Sequence, residues 1–196
     1  MNGTLLLAMA SFALVASITP GPVNSLALTS GVHYGFRRSL GFVTGATLGF
    51  TALLLLAGVG MAEAVARWPL LDTAMRVAGT AFLFHLAYRL WQARGGVQAG
   101  NRGAPPGLWA GASLQWLNPK AWIAAIAGMG AYGLRDGLVS VLVFAGLYFI
   151  ICFASIALWA FLGERLSQVL GRRMPAFNRA MAGLLALGAV AMLAGY

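Results

Sequence analysis

The feature that most constrains this chain is the way its apolar residues are grouped. Six runs of about 20 residues or more, near positions 4–32, 39–62, 70–91, 108–131, 138–162 and 176–194, are separated by short polar stretches. About 20 apolar residues in a helix cross the hydrocarbon of a bilayer. A helix is also one of only two backbone forms that satisfy their own polar groups there. The expected fold is therefore all-α and polytopic, with about six transmembrane helices in one domain over residues 1–196. Composition agrees: hydrophobic residues make up 60% and charged residues 9%, and mean hydropathy is +0.82. So few charges cannot cover the surface of a water-soluble domain of this size.

The formal net charge is +9. The basic residues stand singly or in pairs between apolar runs, with no basic stripe or nucleic-acid module, so nucleic acid is not an expected partner. Their distribution instead orients the chain. Arg37, Arg38, Arg89, Arg94, Arg102, Arg165, Arg172, Arg173 and Arg179 fall on one side of the expected spans. Arg67, Arg76 and Arg135 fall on the other, with Glu63, Asp72 and Asp136. The positive-inside bias places the first set in the cytoplasm and both termini outward. Met1 to Thr4 carries no Lys or Arg, so the first apolar run reads as a retained span rather than a signal peptide. Trp68, Trp91, Trp109 and Tyr196 near span ends fit an interfacial aromatic belt. Cys152 is the one cysteine and reads as a small packing residue, with no disulfide or CxxC site.

An internal repeat sharpens the reading. Tyr34-Gly35-Phe36-Arg37-Arg38-Ser39-Leu40 resembles Tyr132-Gly133-Leu134-Arg135-Asp136-Gly137-Leu138 at an offset of 98 residues. In each copy a helix breaker precedes the Tyr-Gly turn: Pro20-Gly21-Pro22 in the first, Asn118-Pro119 in the second. Arg76 to Gly79 also echoes Arg179 to Gly183. Repeats over about 1–98 and 99–196 would each hold three spans. An odd number inverts the second copy relative to the first. The expectation is two inverted three-helix repeats with helices 1 and 4 interrupted.

Interrupted spans are where chemistry is expected. Proline removes a donor and opens the helix, and opened backbone in a bilayer has to face protein or a wet cavity. Half-helix N-termini offer amides to an anion; those of Val23, Asn24 and Ser25, and of Lys120, Ala121 and Trp122, are candidates. Lys120 is the only lysine in the chain and follows a break inside an apolar span. A charge there costs about 2.5–3.5 kcal/mol and ordinarily faces a cavity. It has two readings: a partner for a substrate carboxylate, or a brace that snorkels or holds freed carbonyls. Asn24, Ser25, Ser113, Gln115 and Asn118 flank the breaks and either contact substrate or satisfy opened backbone. Thr47, on one face of the second span with Thr44 and Thr51, has the same two readings. His85 in the third span is either a proton-carrying group or a packed histidine. Gly41, Gly45 and Gly49 form overlapping GxxxG units for close helix approach, within the bundle or in a homodimer.

These residues together resemble the LysE/RhtB amino-acid exporters. Thr19-Pro20-Gly21-Pro22-Val23-Asn24-Ser25-Leu26, followed by Ser30-Gly31-Val32-His33-Tyr34-Gly35, is similar to that family's amino-terminal signature. Asn118-Pro119-Lys120-Ala121-Trp122 resembles its second signature, Gly79 to Leu90 its third-span pattern, and Ala182 to Gly188 its closing one. The resemblance covers nearly the whole chain. It implies a bacterial inner-membrane secondary transporter that exports amino acids or related metabolites. It makes Pro20, Gly21, Pro22, Asn24, Asn118, Pro119 and Lys120 the functional core. Two positions depart from the family pattern. Gly49 is followed by Phe50 where many members carry an acid, and Ile123, Ala124 and Ala125 follow Trp122 where many carry phenylalanines. Without that acid, a neutral substrate fits better than a dibasic one.

The expected function is gradient-driven export by alternating access, without a cofactor or a metal. An intramembrane enzyme would need paired acids, a His/Glu metal motif or redox cysteines, none of which is visible. The alternatives are a non-transporting membrane subunit, which the paired interruptions argue against, and an exporter of a different small metabolite or ion.

Overall fold

The computed structural model describes residues 3–58, 77, 80–81, 83–85, 87–88, 90–92, 104–133, 138–170 and 173–193. Most of the third expected span, residues 93–103 of the polar stretch after it, Trp68 and Tyr196 lie outside these residues. So do Glu63, Arg67, Asp72, Arg76, Arg94, Arg102, Arg135, Asp136 and Arg172.

Every regular element among the described residues is helical. In chain order they are α1 (Gly3–Ile18), α2 (Pro22–Tyr34), α3 (Phe36–Leu56), α4 (Leu108–Trp116), α5 (Pro119–Gly128) with a π-helical turn Met129–Gly133, α6 (Leu138–Leu170) and α7 (Met174–Leu193). The described residues within 77–92 are helical as well. α3 and α6 are each long and apolar enough to cross a membrane, and α1 and α2 meet that criterion together, bent by 61° at their break. The apolar stretch of α7 is shorter, Met174–Val190. The chain is therefore a multi-pass helical membrane protein.

The expected breaks fall where proline chemistry puts them. Gly21 is fully extended and Pro22 opens α2; proline suits a first helical position because its missing N–H would have had no partner. Asn118 is likewise extended, and its side chain caps α5 by accepting from the Lys120 amide. Between α2 and α3 the chain turns at Gly35, whose φ of +81° is the one left-handed backbone among the described residues. There the Glu164 carboxylate accepts from the Phe36 amide at 3.2 Å, placing negative charge at the N-terminus of α3. The buried hydroxyls of Ser30 and Ser39 meet at 2.7 Å and tie α2 to α3.

One boundary differs from expectation. The fifth apolar run ends near 162, before a polar stretch, but α6 continues to Leu170. After Gly163, no proline or glycine stands before Gly171, and Glu164, Arg165 and Gln168 are good helix formers. At 33 residues the helix is about 50 Å long, so its polar last turns extend beyond an apolar layer of about 30 Å.

Glycines set the closest contacts. A Cβ on Gly31 would lie 1.9 Å from the Ala160 carbonyl, and one on Gly163 would lie 2.1 Å from that of Leu28. α2 and α6 thus touch backbone to backbone. α3 and α4 do the same: a Cβ on Gly45 would lie 1.9 Å from the Leu108 carbonyl, and one on Gly111 would lie 2.2 Å from that of Phe42. The glycine stripe of α3 is therefore used inside the chain. The core lies between α1, α2, α3 and α6, around Met9, Phe42, Leu53, Phe144 and Tyr148. Trp91 and Trp109 are exposed, as a belt requires, and the Arg179 guanidinium lies 5.7 Å from the Trp91 ring.

Candidate functional site

The two breaks meet. Between them opens a cleft with about 40 Å³ of space for water-sized groups. Its polar side chains include Asn24 and Thr19 from the first break and Gln115, Asn118 and Lys120 from the second. Its apolar side is made by Phe50, Tyr148, Cys152 and Ile156.

The end of α1 explains how the first break is stabilised. The last carbonyls of a helix have no partner within it, and here side chains supply one. The Asn24 side-chain amide donates to Ser17 O at 2.7 Å and to Thr19 O at 2.9 Å. The Trp159 indole donates to Ile18 O at 3.1 Å. The Lys120 ammonium donates to Thr19 O at 3.1 Å. Lys120 therefore holds a carbonyl freed by the other break. A cation also suits the negative end of a helix dipole. The second break has its own brace, from the Trp122 indole to Trp116 O at 2.8 Å.

Four of the six amides expected to be free are occupied. The Lys120 amide bonds the Asn118 side chain at 3.2 Å. Ala121 and Trp122 bond Asn118 O, and Ser25 bonds Gly21 O. The local capping geometry of Asn118 takes up the α5 amides, because an asparagine cap satisfies the first turn by itself. The amides of Val23 and Asn24, at the start of α2, have no partner among the described residues.

Of the expected site residues, Gly21, Pro22, Asn24, Gln115, Asn118 and Lys120 line the cleft. Pro20 is exposed beside it and Ser25 lies one turn into α2; neither lines it. Pro119 opens α5, and its ring lies outside the described residues. The Thr47 hydroxyl donates to Val43 O at 2.9 Å, and Thr47 is not in the cleft lining. His85 lies on an exposed face and does not line the cleft.

Several lining residues carried no site reading in the sequence, among them Ser17, Phe50, Tyr148, Cys152 and Ile156. Phe50 was visible only as an unusual residue after Gly49. It stacks on Tyr148 with ring centroids 4.5 Å apart. From Tyr148 an aromatic group continues through Phe144 to Phe12 and Tyr132, with successive centroids 5.7–6.3 Å apart. Among the described residues no group of three or more His, Cys, Asp or Glu side chains could hold a metal ion.

A membrane bundle in which two broken helices frame one polar cleft has the build of a transporter rather than of a catalyst. The comparison with known proteins agrees and makes it specific: the family model for LysE type translocators matches residues 14–195, and the chain belongs to that family. It is a transporter and not an enzyme. Similar proteins include the cysteine/O-acetylserine efflux protein of Escherichia coli strain K12, 31% identical over 186 residues, covering 89% of this chain and 91% of the relative. Proteins of the same name from Shigella sonnei strain Ss046 and from Escherichia coli O6:K15:H31 strain 536 are also 31% identical, over 186 and 183 residues. No solved structure matches the chain.

Proposed function

We propose that this protein exports a small neutral amino acid across the bacterial inner membrane by alternating access, driven by an ion gradient. The observation that carries the proposal is the Lys120 ammonium in the cleft, resting on Thr19 O at 3.1 Å. No Asp or Glu lines that cleft among the described residues. An ammonium inside a span costs about 2.5–3.5 kcal/mol, and a carbonyl offsets only part of its charge. A substrate carboxylate completes the pairing, helped by the open Val23 and Asn24 amides of α2. The substrate's own ammonium faces the polar oxygens of Gln115 and Asn118. The relatives' names, cysteine and O-acetylserine efflux, agree with a small neutral substrate. So does the absence of a lining acid that would hold a second ammonium.

Two inverted halves, about 1–98 and 99–196, would move about this site. In support, α3 of the first half packs on α4 and α5 of the second, and α6 of the second packs on α1 and α2 of the first. Each continuous helix thus clasps the broken one of the other half. Both termini face outward in this reading. A homodimer would have to use a face other than the glycine stripe of α3, which α4 covers.

The test is efflux of labelled amino acids from proteoliposomes, with and without a proton gradient. Wild type is expected to release small neutral amino acids saturably. Lys120→Ala and Asn118→Ala should lower the rate at least about tenfold, the equivalent of one lost charge-assisted contact. Absence of efflux of every amino acid, from folded protein, would overturn the proposal.

A further inference from the structure

We infer that the Ser17 hydroxyl reads the substrate's side chain and selects short side chains carrying one hydrogen-bonding group. The inference rests on the reading above, that an amino acid occupies the cleft.

The cleft is lined by two chemically different sets of residues. Lys120, Asn118, Gln115 and the start of α2 are polar, whereas Phe50, Tyr148, Cys152 and Ile156 are largely apolar. Ser17 neighbours Tyr148 and Cys152, and Tyr148 stacks on Phe50. With the zwitterionic head on Lys120, the side chain is left to the second set. None of that set is charged, so a charged side chain would be buried without a partner.

Ser17 is the anomaly beside that set. Among the described residues its Oγ is the one buried side-chain oxygen or nitrogen without a hydrogen bond. Hydroxyls in membrane helices ordinarily bond the carbonyl four residues back. Thr19, Thr29, Ser39, Thr47 and Thr51 all do so here. Ser17 does not, although Tyr148 and Cys152 lie beside it without reaching ordinary hydrogen-bond geometry. Its main-chain oxygen is already held by Asn24, which fixes the residue at the rim of the break. A buried hydroxyl without a hydrogen bond, on a residue that lines the cleft, can both donate and accept. It can therefore meet a hydroxyl, a thiol or an ester oxygen on a short side chain. An apolar isostere in the same place would leave the hydroxyl unsatisfied, and sites of this kind reject such isosteres strongly.

The experiment compares efflux of serine with that of 2-aminobutyrate, its isostere with a methyl in place of the hydroxyl, from proteoliposomes. Wild type should favour serine by at least about tenfold. Ser17→Ala should bring the ratio near one while keeping the 2-aminobutyrate rate. Thr29→Ala removes a hydroxyl outside the cleft lining and should keep the wild-type ratio. If Ser17→Ala stops all flux, the thermal shift that each compound induces in the detergent-solubilised variant gives the same ratio without turnover. Unchanged selectivity in Ser17→Ala, or equal loss in Thr29→Ala, overturns the role of Ser17 while amino-acid export stands. A wild type that moves no amino acid overturns the export reading itself and this inference with it.

Discussion

The Asn24 side chain and the Ser17 main-chain oxygen, seven positions apart, are joined at 2.7 Å across the break between α1 and α2. The same nitrogen lies 2.9 Å from Thr19 O. One buried amide thus serves two carbonyls that in an unbroken helix would accept from the Gly21 and Val23 amides. Asn24→Ala leaves both carbonyls short of a donor and should destabilise the protein by about 1–3 kcal/mol. Asn24→Asp should be no better, because an ionised carboxylate accepts and cannot donate. Thermal unfolding in detergent checks both. An Asp variant as stable as wild type would show that the amide is not what closes the break.

The α2–α6 contact gives a contrast between glycines. Gly31→Ala and Gly163→Ala each drive a Cβ to about 2 Å from a carbonyl oxygen of the neighbouring helix. Neither helix can yield without moving its backbone, so each change should cost at least about 1–3 kcal/mol. Gly146→Ala and Gly183→Ala meet nothing within 4 Å and should be neutral or stabilising by up to about 1 kcal/mol, through helix propensity. Melting temperatures of the four variants, measured side by side, check the ordering.

The turn at Gly35 offers the third case. Its φ of +81° disfavours any side chain, and a Cβ there would also lie 3.0 Å from the Glu164 carboxylate. Gly35→Ala should therefore destabilise by about 1–2 kcal/mol. Glu164→Gln keeps an acceptor for the Phe36 amide and should cost less than Glu164→Ala. Unfolding midpoints that rank Gln below Ala would show that the Glu164 contact does not hold the turn.

The helical class and both interruptions were readable because they rest on covalent properties of residues. Long apolar runs have one solution in a bilayer, and Pro22 and Pro119 open α2 and α5 wherever the rest of the chain goes. Lys120 stood out for a similar reason, as a costly charge in an apolar setting. The partner of Lys120 could not be read, because Thr19 is 101 residues away and contributes a main-chain oxygen that every residue has. Ser17, Tyr148 and Cys152 were hidden differently. Each is an ordinary occupant of an apolar helix, and only the approach of α1 to α6 turns it toward the cleft. The end of α6 was misjudged because Arg165 and Gln168 are polar, and polarity marks where the lipid ends rather than where the helix does.

The two ends of the bundle differ in what lies between their helices. Toward Tyr34, α2 and α6 meet through Gly31 and Gly163 with no side chain between them, so they can neither slide nor part without losing the whole contact. Toward Phe12, the joint between α1, α5 and α6 is made of the Phe12, Tyr132 and Phe144 rings. Rings can swing to another rotamer while their backbones stay in place. One end of the molecule is therefore stiff and the other compliant. In the export reading proposed above, a passage that opens by the smallest displacement would open at the aromatic end, with the glycine joint as its fulcrum.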